Sequence, residues 1–173
     1  VGITNGEVFN GANDNASGVA SMIEVASAMV QSKQRPRRSI VFMTVWGEEL
    51  GMVGSNYYGK HPVFPIAKTV ANLNLEQMGR TDDEKSPQID RAALTGFDFS
   101  DIGAILAKTG AAMGVKIFKH EKYNYDFFGR SDNQALADQG IPAHTMSVAY
   151  AFSDYHGKDD TWDKIDYDNM ARI

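Results

Sequence analysis

The chain has 173 residues, a length suited to one domain with a real core, and its 43% hydrophobic and 23% charged content is that of a globular protein, not a disordered one. A net charge of −5 with scattered acids offers no footprint for nucleic acid or an anionic membrane, and no apolar run approaches the roughly 18 residues of a membrane span. Cysteine is absent, which excludes disulfides and thiolate nucleophiles and leaves His, Asp and Glu to ligate any metal.

The chain opens on Val1 with neither an initiating Met nor a signal-peptide pattern, as an excised or processed piece would. Residues 1–9 read as a strand end or loop. The turn cluster Asn10-Gly11-Ala12-Asn13-Asp14-Asn15 precedes a helix over 17–30, whose Val19, Met22, Ile23, Ala26, Met29 and Val30 fall on one stripe. After a polar connection over 31–38, the apolar run 40–46 reads as a buried parallel strand with Trp46 in the core, followed directly by Glu48 and Glu49. A short helix over 50–58 comes next, then a strand over 67–75 ending in Glu76, an acidic linker-like stretch over 81–87, and a strand over 88–94. The pattern over 100–113 predicts a helix with Ile102, Ile105, Leu106 and Ala112 facing inward. A short strand over 115–118, a helix over 131–138, a strand over 143–148 and a helix from 166 complete the chain. Strands alternating with helices predict one domain over 1–173, with a sheet covered on both faces.

Two adjacent carboxylates at the end of a buried strand repel each other and lose solvation, so a cation or a shared proton must offset that cost. Ligands gather outside the carboxyl ends of strands in open α/β sheets. An exposed Glu-Glu pair opening a helix accounts for Glu48 and Glu49 as simply. Asp14 is by default a helix N-cap, a task that Asn13, Asn15 and Ser17 also perform. Glu76 ends the next strand, and His156 lies in the loop after the last one. Asp14, Glu48, Glu49, Glu76 and His156 can therefore converge at one sheet edge. Their oxygen and imidazole donors suit zinc, manganese or cobalt. Two such ions about 3.5–4 Å apart share a bridging carboxylate, and a carboxylate left unligated acts as general base.

The segments Gly11-Ala12-Asn13-Asp14-Asn15-Ala16-Ser17-Gly18 and Trp46-Gly47-Glu48-Glu49-Leu50-Gly51-Met52-Val53-Gly54-Ser55 resemble signatures of the two-zinc aminopeptidases. These zinc exopeptidases also include glutamate carboxypeptidase-type enzymes and glutaminyl cyclases. Residues 72–79, Ser131-Asp132 and His156-x-x-x-Asp160-Thr161 resemble the family's remaining segments, in the family's order. The resemblance implies a three-layer α/β sandwich, with a mostly parallel mixed sheet between helices on both faces, lacking its first strands. It implies Asp14 as the bridging aspartate, Glu49 and His156 as ligands of one zinc, and Glu76 as the carboxylate of the other. Glu48 becomes the general base toward a metal-activated water, and Asp132 and Tyr155 become substrate contacts. The implied activity is hydrolysis of N-terminal peptide bonds in a peptide substrate, in a secreted or periplasmic setting.

This sequence departs from the family in four places. Glu76 replaces a more usual aspartate, and Asn133 stands where a histidine often follows Ser-Asp. Phe127 and Phe128 occupy the neighbourhood in which several relatives use a tyrosine. The family's remaining ligand is a histidine in a His-x-Asp motif shortly before the Gly-Ala-x-Asp segment, and nothing upstream of Asp14 is a histidine. The expectation is that the chain begins just after that motif, holds one zinc ion or none, and is weakly active or inactive. His61, His120 and His144 read as solvated or structural. Asp160 either orients His156 or caps a helix. Two other readings stay open: a glutaminyl cyclase-like acyl transferase using the same ligands, and a non-catalytic metal-binding fragment.

Overall fold

The computed structural model describes residues 2–83 and 86–173. Strands β1 (Gly2–Thr4) and β2 (Glu7–Phe9) form an antiparallel hairpin around Asn5-Gly6, both left-handed at φ 53° and 80°. Asn-Gly is the chemistry that such a two-residue turn requires. Residues Ala12–Ser17 form an irregular turn of helix that runs into α1 (Gly18–Gln31). Glu48–Leu50 make a single 3₁₀ turn before α2 (Val53–Lys60), and Ile66–Lys68 make another before β3 (Asn72–Leu75). Then follow β4 (Arg91–Leu94), α3 (Ile102–Ala112), β5 (Lys116–Phe118), α4 (Tyr123–Asp126), α5 (Asn133–Ala137), β6 (Ala143–Ser147) and α6 (Tyr167–Arg172).

The main sheet has the order β3-β6-β4-β5. β3 runs parallel to β6, with Asn74 opposite Thr145, and β4 runs parallel to β5; β4 and β6 are antiparallel. The result is a mixed α/β sheet flanked by helices, as the sequence pattern predicts. Three apolar clusters hold it together. Met78, Ala92 and Val148 form one, Ala93, Tyr123 and Tyr150 a second, and Leu136, Ile141 and Ala143 a third. Burial of such side chains stabilises by roughly 1.5–3 kcal/mol each when they are large and fully covered.

Several expectations need correction. The run 40–46 joins no ladder, and Ile40, Val41 and Trp46 are 44%, 51% and 70% exposed. A strand exists only where a neighbour takes its alternate N–H and C=O groups. β3 pairs with β6 alone, so its outer edge has no partner among the described residues. The apolar stripe of α1 is correctly periodic yet mostly uncovered: Met22 and Ala26 are half-buried, whereas Ile23 and Val30 are exposed. In α3, Ile105 and Ala112 face solvent, and the tight contact is made by Gly103, where a Cβ would sit 2.3 Å from the Phe97 carbonyl oxygen. The stretch 81–87 is partly a β-bridge between Asp82 and Pro87, and residues 84 and 85 lie outside the described residues.

Candidate metal centre

Asp14 sits where helix has not yet begun. Its φ −111° and ψ 89° are non-helical, and its peptide bond to Asn15 is cis. The surrounding polar residues, which the sequence offers as helix caps, fasten this turn to the loop after β3. Asn15 Nδ2 donates to the Leu75 carbonyl at 3.0 Å, and Asn15 Oδ1 accepts the N–H of Gln77 at 3.2 Å. Asn13 Oδ1 accepts the N–H of Gly79 at 2.8 Å, and Ser17 Oγ accepts that of Met78 at 2.9 Å. Gly18 is required for the closeness, because a Cβ there would lie 2.2 Å from the Leu75 carbonyl oxygen. Asp14 and Glu76 are thus placed by one hydrogen-bonded unit.

From the other side, Asp160 holds the same turn. Its fully buried carboxylate accepts the N–H of Asn13 at 2.9 and 3.0 Å and the N–H of Asp14 at 2.9 Å. Asp160 therefore supports Asp14, where the sequence suggested His156 or a helix end. Replacing it with asparagine turns one accepting oxygen into a donor facing N–H groups. The expected result for Asp160→Asn is a loss of about 2–3 kcal/mol in denaturant unfolding, with roughly 10–100-fold weaker zinc binding by competition titration.

Glu48 and Glu49 lie in a turn bracketed by Gly47 and Gly51, left-handed at φ 77° and 92°. The Glu48 carbonyl accepts the N–H groups of Gly51 and Met52 at 2.9 and 2.8 Å, which fixes both glutamates. His156 is carried by the loop after β6, where Gly157 N–H bonds the Asp154 carbonyl at 2.7 Å. Arg80, itself buried, donates to Asp154 Oδ2 at 3.0 Å and anchors that loop. His156 and Tyr155 stack with ring centroids 3.9 Å apart. His156, Met52 and Gln77 are non-glycine residues held at φ 56°, 58° and 53°, and all three border one cavity. Such conformations cost about 1–3 kcal/mol each and persist where the surroundings over-determine them.

The structure brings Asp14, Glu49 and His156 together. His156 Nε2 is 3.2 Å from both Asp14 Oδ2 and Glu49 Oε1, and one donor atom from each residue lies within 4.8 Å of the others. Donors about 2.1 Å from one tetrahedral zinc stand about 3.4 Å apart, so this set fits a divalent ion. Burial first, then the Glu49 charge, pushes Asp14 up to about 6, against the pull of His156. A cation removes that cost.

Glu76 is not in this group, yet it lines the same cavity as Glu48, Glu49 and His156, a space of about 340 Å³. Burial pushes Glu76 up to about 8, opposed by a hydrogen bond from Ser131 and aided by the Asp14 charge. Glu48 is pushed up to about 7 by burial, then by Glu49 and Asp132. Tyr155 lines the cavity and is pushed up to about 12 by burial and the Asp14 charge, so its hydroxyl stays a donor. Asp132 does not line it. Its carboxylate accepts the Ser55 hydroxyl at 2.5 Å and ties α5 to α2, so it acts on the site through its charge, which raises Glu48 and Glu76.

The spare histidines are engaged elsewhere. His61 rests against Tyr57, His120 against Tyr123 and Asp83, and buried His144 bonds Ser100 Oγ at 2.6 Å and the Thr95 carbonyl at 2.9 Å. Asn133, fully buried, donates to the Phe128 carbonyl and accepts the Thr145 hydroxyl, an interior bracing role. Sequence reasoning missed Arg130. It lines the cavity, stacks 4.5 Å over Phe127, and its charge opposes the rise of Glu48. The Gly-Arg-Ser-Asp run was the available signal.

A profile of Peptidase family M28 matches residues 1–173. The chain belongs to this family. Leupeptin-inactivating enzyme 1 of Streptomyces exfoliatus is 37% identical over 133 residues, which are 76% of this chain and 28% of that protein. The aminopeptidase from Aneurinibacillus sp. strain AM-1 is 30% identical with a TM-score of 0.71, over 92% of this chain and 36% of that one. Porphyromonas gingivalis glutaminyl cyclase shares the fold, with a TM-score of 0.69 at 20% identity over 96% of this chain and 61% of that one. The chain spans less than a third of the length of the curated relatives it matches. No helix among the described residues is long and apolar enough to cross a membrane.

Proposed function

We propose that this chain forms the catalytic part of a metal-dependent exopeptidase that removes N-terminal residues from peptides. The observation that carries the reading is the Asp14–Glu49–His156 group, with 3.2 Å separations, bordering the cavity into which Glu48 and Glu76 also project. Asp14, Glu49 and His156 would hold zinc, with Glu76 beside it as the carboxylate of a second site shared through Asp14. When bound, the metal supplies positive charge that favours ionised water and stabilises negative charge on the scissile carbonyl oxygen.

The remaining work belongs to the chain. Glu48, raised to about 7, accepts a proton from the attacking water and passes it to the leaving amine. Tyr155, kept protonated, donates to the carbonyl oxygen. The acidic wall attracts the free α-amino group, which favours exopeptidase action at the N-terminus. A secreted or periplasmic setting is part of the proposal and is tested by cell fractionation. Glutaminyl cyclase activity has support from fold likeness alone.

Zinc-loaded intact protein should release p-nitroaniline from aminoacyl p-nitroanilides and lose this activity on chelation. No metal-dependent release, or cyclisation of Gln-initiated peptides without hydrolysis, would refute the reading.

A further inference from the structure

Apart from His156, every charged side chain in the cavity wall is a glutamate except one, Arg130. Arg130 ends the 3₁₀ turn Phe128–Arg130 and is exposed while forming part of that wall. Its guanidinium stacks 4.5 Å over the Phe127 ring. Stacking uses the face of a guanidinium and leaves its fork of N–H donors free in the plane. No described residue supplies those donors with a hydrogen bond or an ion pair. Arg80 and Arg172, by contrast, are engaged by Asp82, Asp154 and Asp90.

The turn also faces the metal centre. Ser131, the next residue, bonds the Glu76 carboxylate, and the Arg130 charge is felt at both Glu48 and Tyr155. The cavity thus offers acids to an amine and one open guanidinium to an anion. Such a fork matches a carboxylate through two parallel bonds. The zinc proposed for Asp14, Glu49 and His156 offsets the acids that would otherwise repel it. A space of about 340 Å³ is near the small end of ligand sites. An anion that reaches Arg130 is therefore carried close to the α-amino group, on the side chain of the first residue or at the C-terminus of a dipeptide.

We propose that Arg130 binds a carboxylate of the substrate, and that the site thereby favours peptides beginning with Asp or Glu, or dipeptides with a free C-terminus. This rests on the exopeptidase reading above. Sites built to pair a substrate group discriminate strongly against the analogue lacking it.

The test uses intact zinc-loaded protein and substrate pairs that differ only in the carboxylate. Glutamyl against glutaminyl p-nitroanilide reads the side-chain source, and alanyl-alanine against its amide reads the C-terminal one. In at least one pair kcat/KM should favour the carboxylate about tenfold. Arg130→Gln should bring that ratio close to unity. Arg130→Lys, which keeps the charge and loses the fork, should leave it in between. Any effect of Arg130 on Glu48 is common to both members of a pair and cancels in the ratio. Calorimetric binding of glutamic acid α-amide against glutaminamide, and of alanyl-alanine against its amide, gives a readout independent of turnover. Tighter, Arg130-dependent binding of a carboxylate without hydrolysis would uphold the subsite while refuting the exopeptidase reading. No carboxylate preference in either pair, or a preference that Arg130→Gln leaves unchanged, would overturn the subsite.

Discussion

Replacing Glu48 with glutamine should lower kcat on aminoacyl p-nitroanilides about 10³-fold while leaving bound zinc and KM close to their starting values. The side chain is outside the Asp14–Glu49–His156 group, so its removal takes no ligand from that site. Glutamine keeps the shape and deletes the proton acceptor. Glu49→Gln should behave differently: it weakens one of three donors, and zinc affinity falls first, with activity following occupancy. The comparison is made by measuring zinc content and single-turnover rate on the same samples. Glu48→Gln retaining more than a tenth of the activity at full zinc occupancy would remove Glu48 from proton transfer. Loss of zinc in that variant would make it a ligand. The proposed division starts from a turn held between Gly47 and Gly51, in which Glu49 reaches His156 at 3.2 Å while Glu48 lies outside that group on the wall of the same cavity.

The family was legible because its motif segments stand in order along the chain, and they also led to the expectation that Asp14, Glu49 and His156 converge, although of the candidate ligands only Glu76 directly follows a strand. The bracing around them was less so. Asn13, Asn15 and Ser17 are good helix caps in any sequence, and only the loop 75–79 brought close to them turns their side chains into fasteners. Asp132 sits next to Ser131 in a motif, yet Ser55, 77 residues away in sequence, decides where it points. Arg130 was marked only by its place in the Gly-Arg-Ser-Asp run, which does not reveal a role that is electrostatic and depends on Glu48 lying nearby. Periodicity found α1 but misjudged its burial, and it read a buried strand in the run 40–46 that no neighbour pairs with, because burial and pairing are properties of what packs against an element and not of the element. The hairpin over 2–9 is the opposite case: the region was expected to be a strand end or loop, and the local Asn5-Gly6 signal for its turn went unused.

Zinc-stripped protein should lose about 3 kcal/mol of unfolding free energy between pH 5 and pH 8, and zinc should restore more of it at pH 8 than at pH 5. Burial is the leading cause that raises Asp14 from 3.8 to about 6, Glu48 from 4.5 to about 7 and Glu76 from 4.5 to about 8. Between roughly pH 4 and pH 8 the folded chain therefore binds protons that the unfolded chain has released, so stability falls as pH rises. One pKa unit corresponds to about 1.4 kcal/mol, and the three shifts are partly mutual, so the total is well below their sum. A divalent cation does the work of those protons. Its binding should release protons and grow stronger toward pH 8. Denaturant midpoints at the two pH values, with and without excess zinc, provide the check, and a flat or rising profile for the stripped protein would sink it. Glu76→Gln should flatten the profile most, because its shift is the largest of the three. The same burial that makes these acids unstable as anions without metal is what leaves them able to bind one.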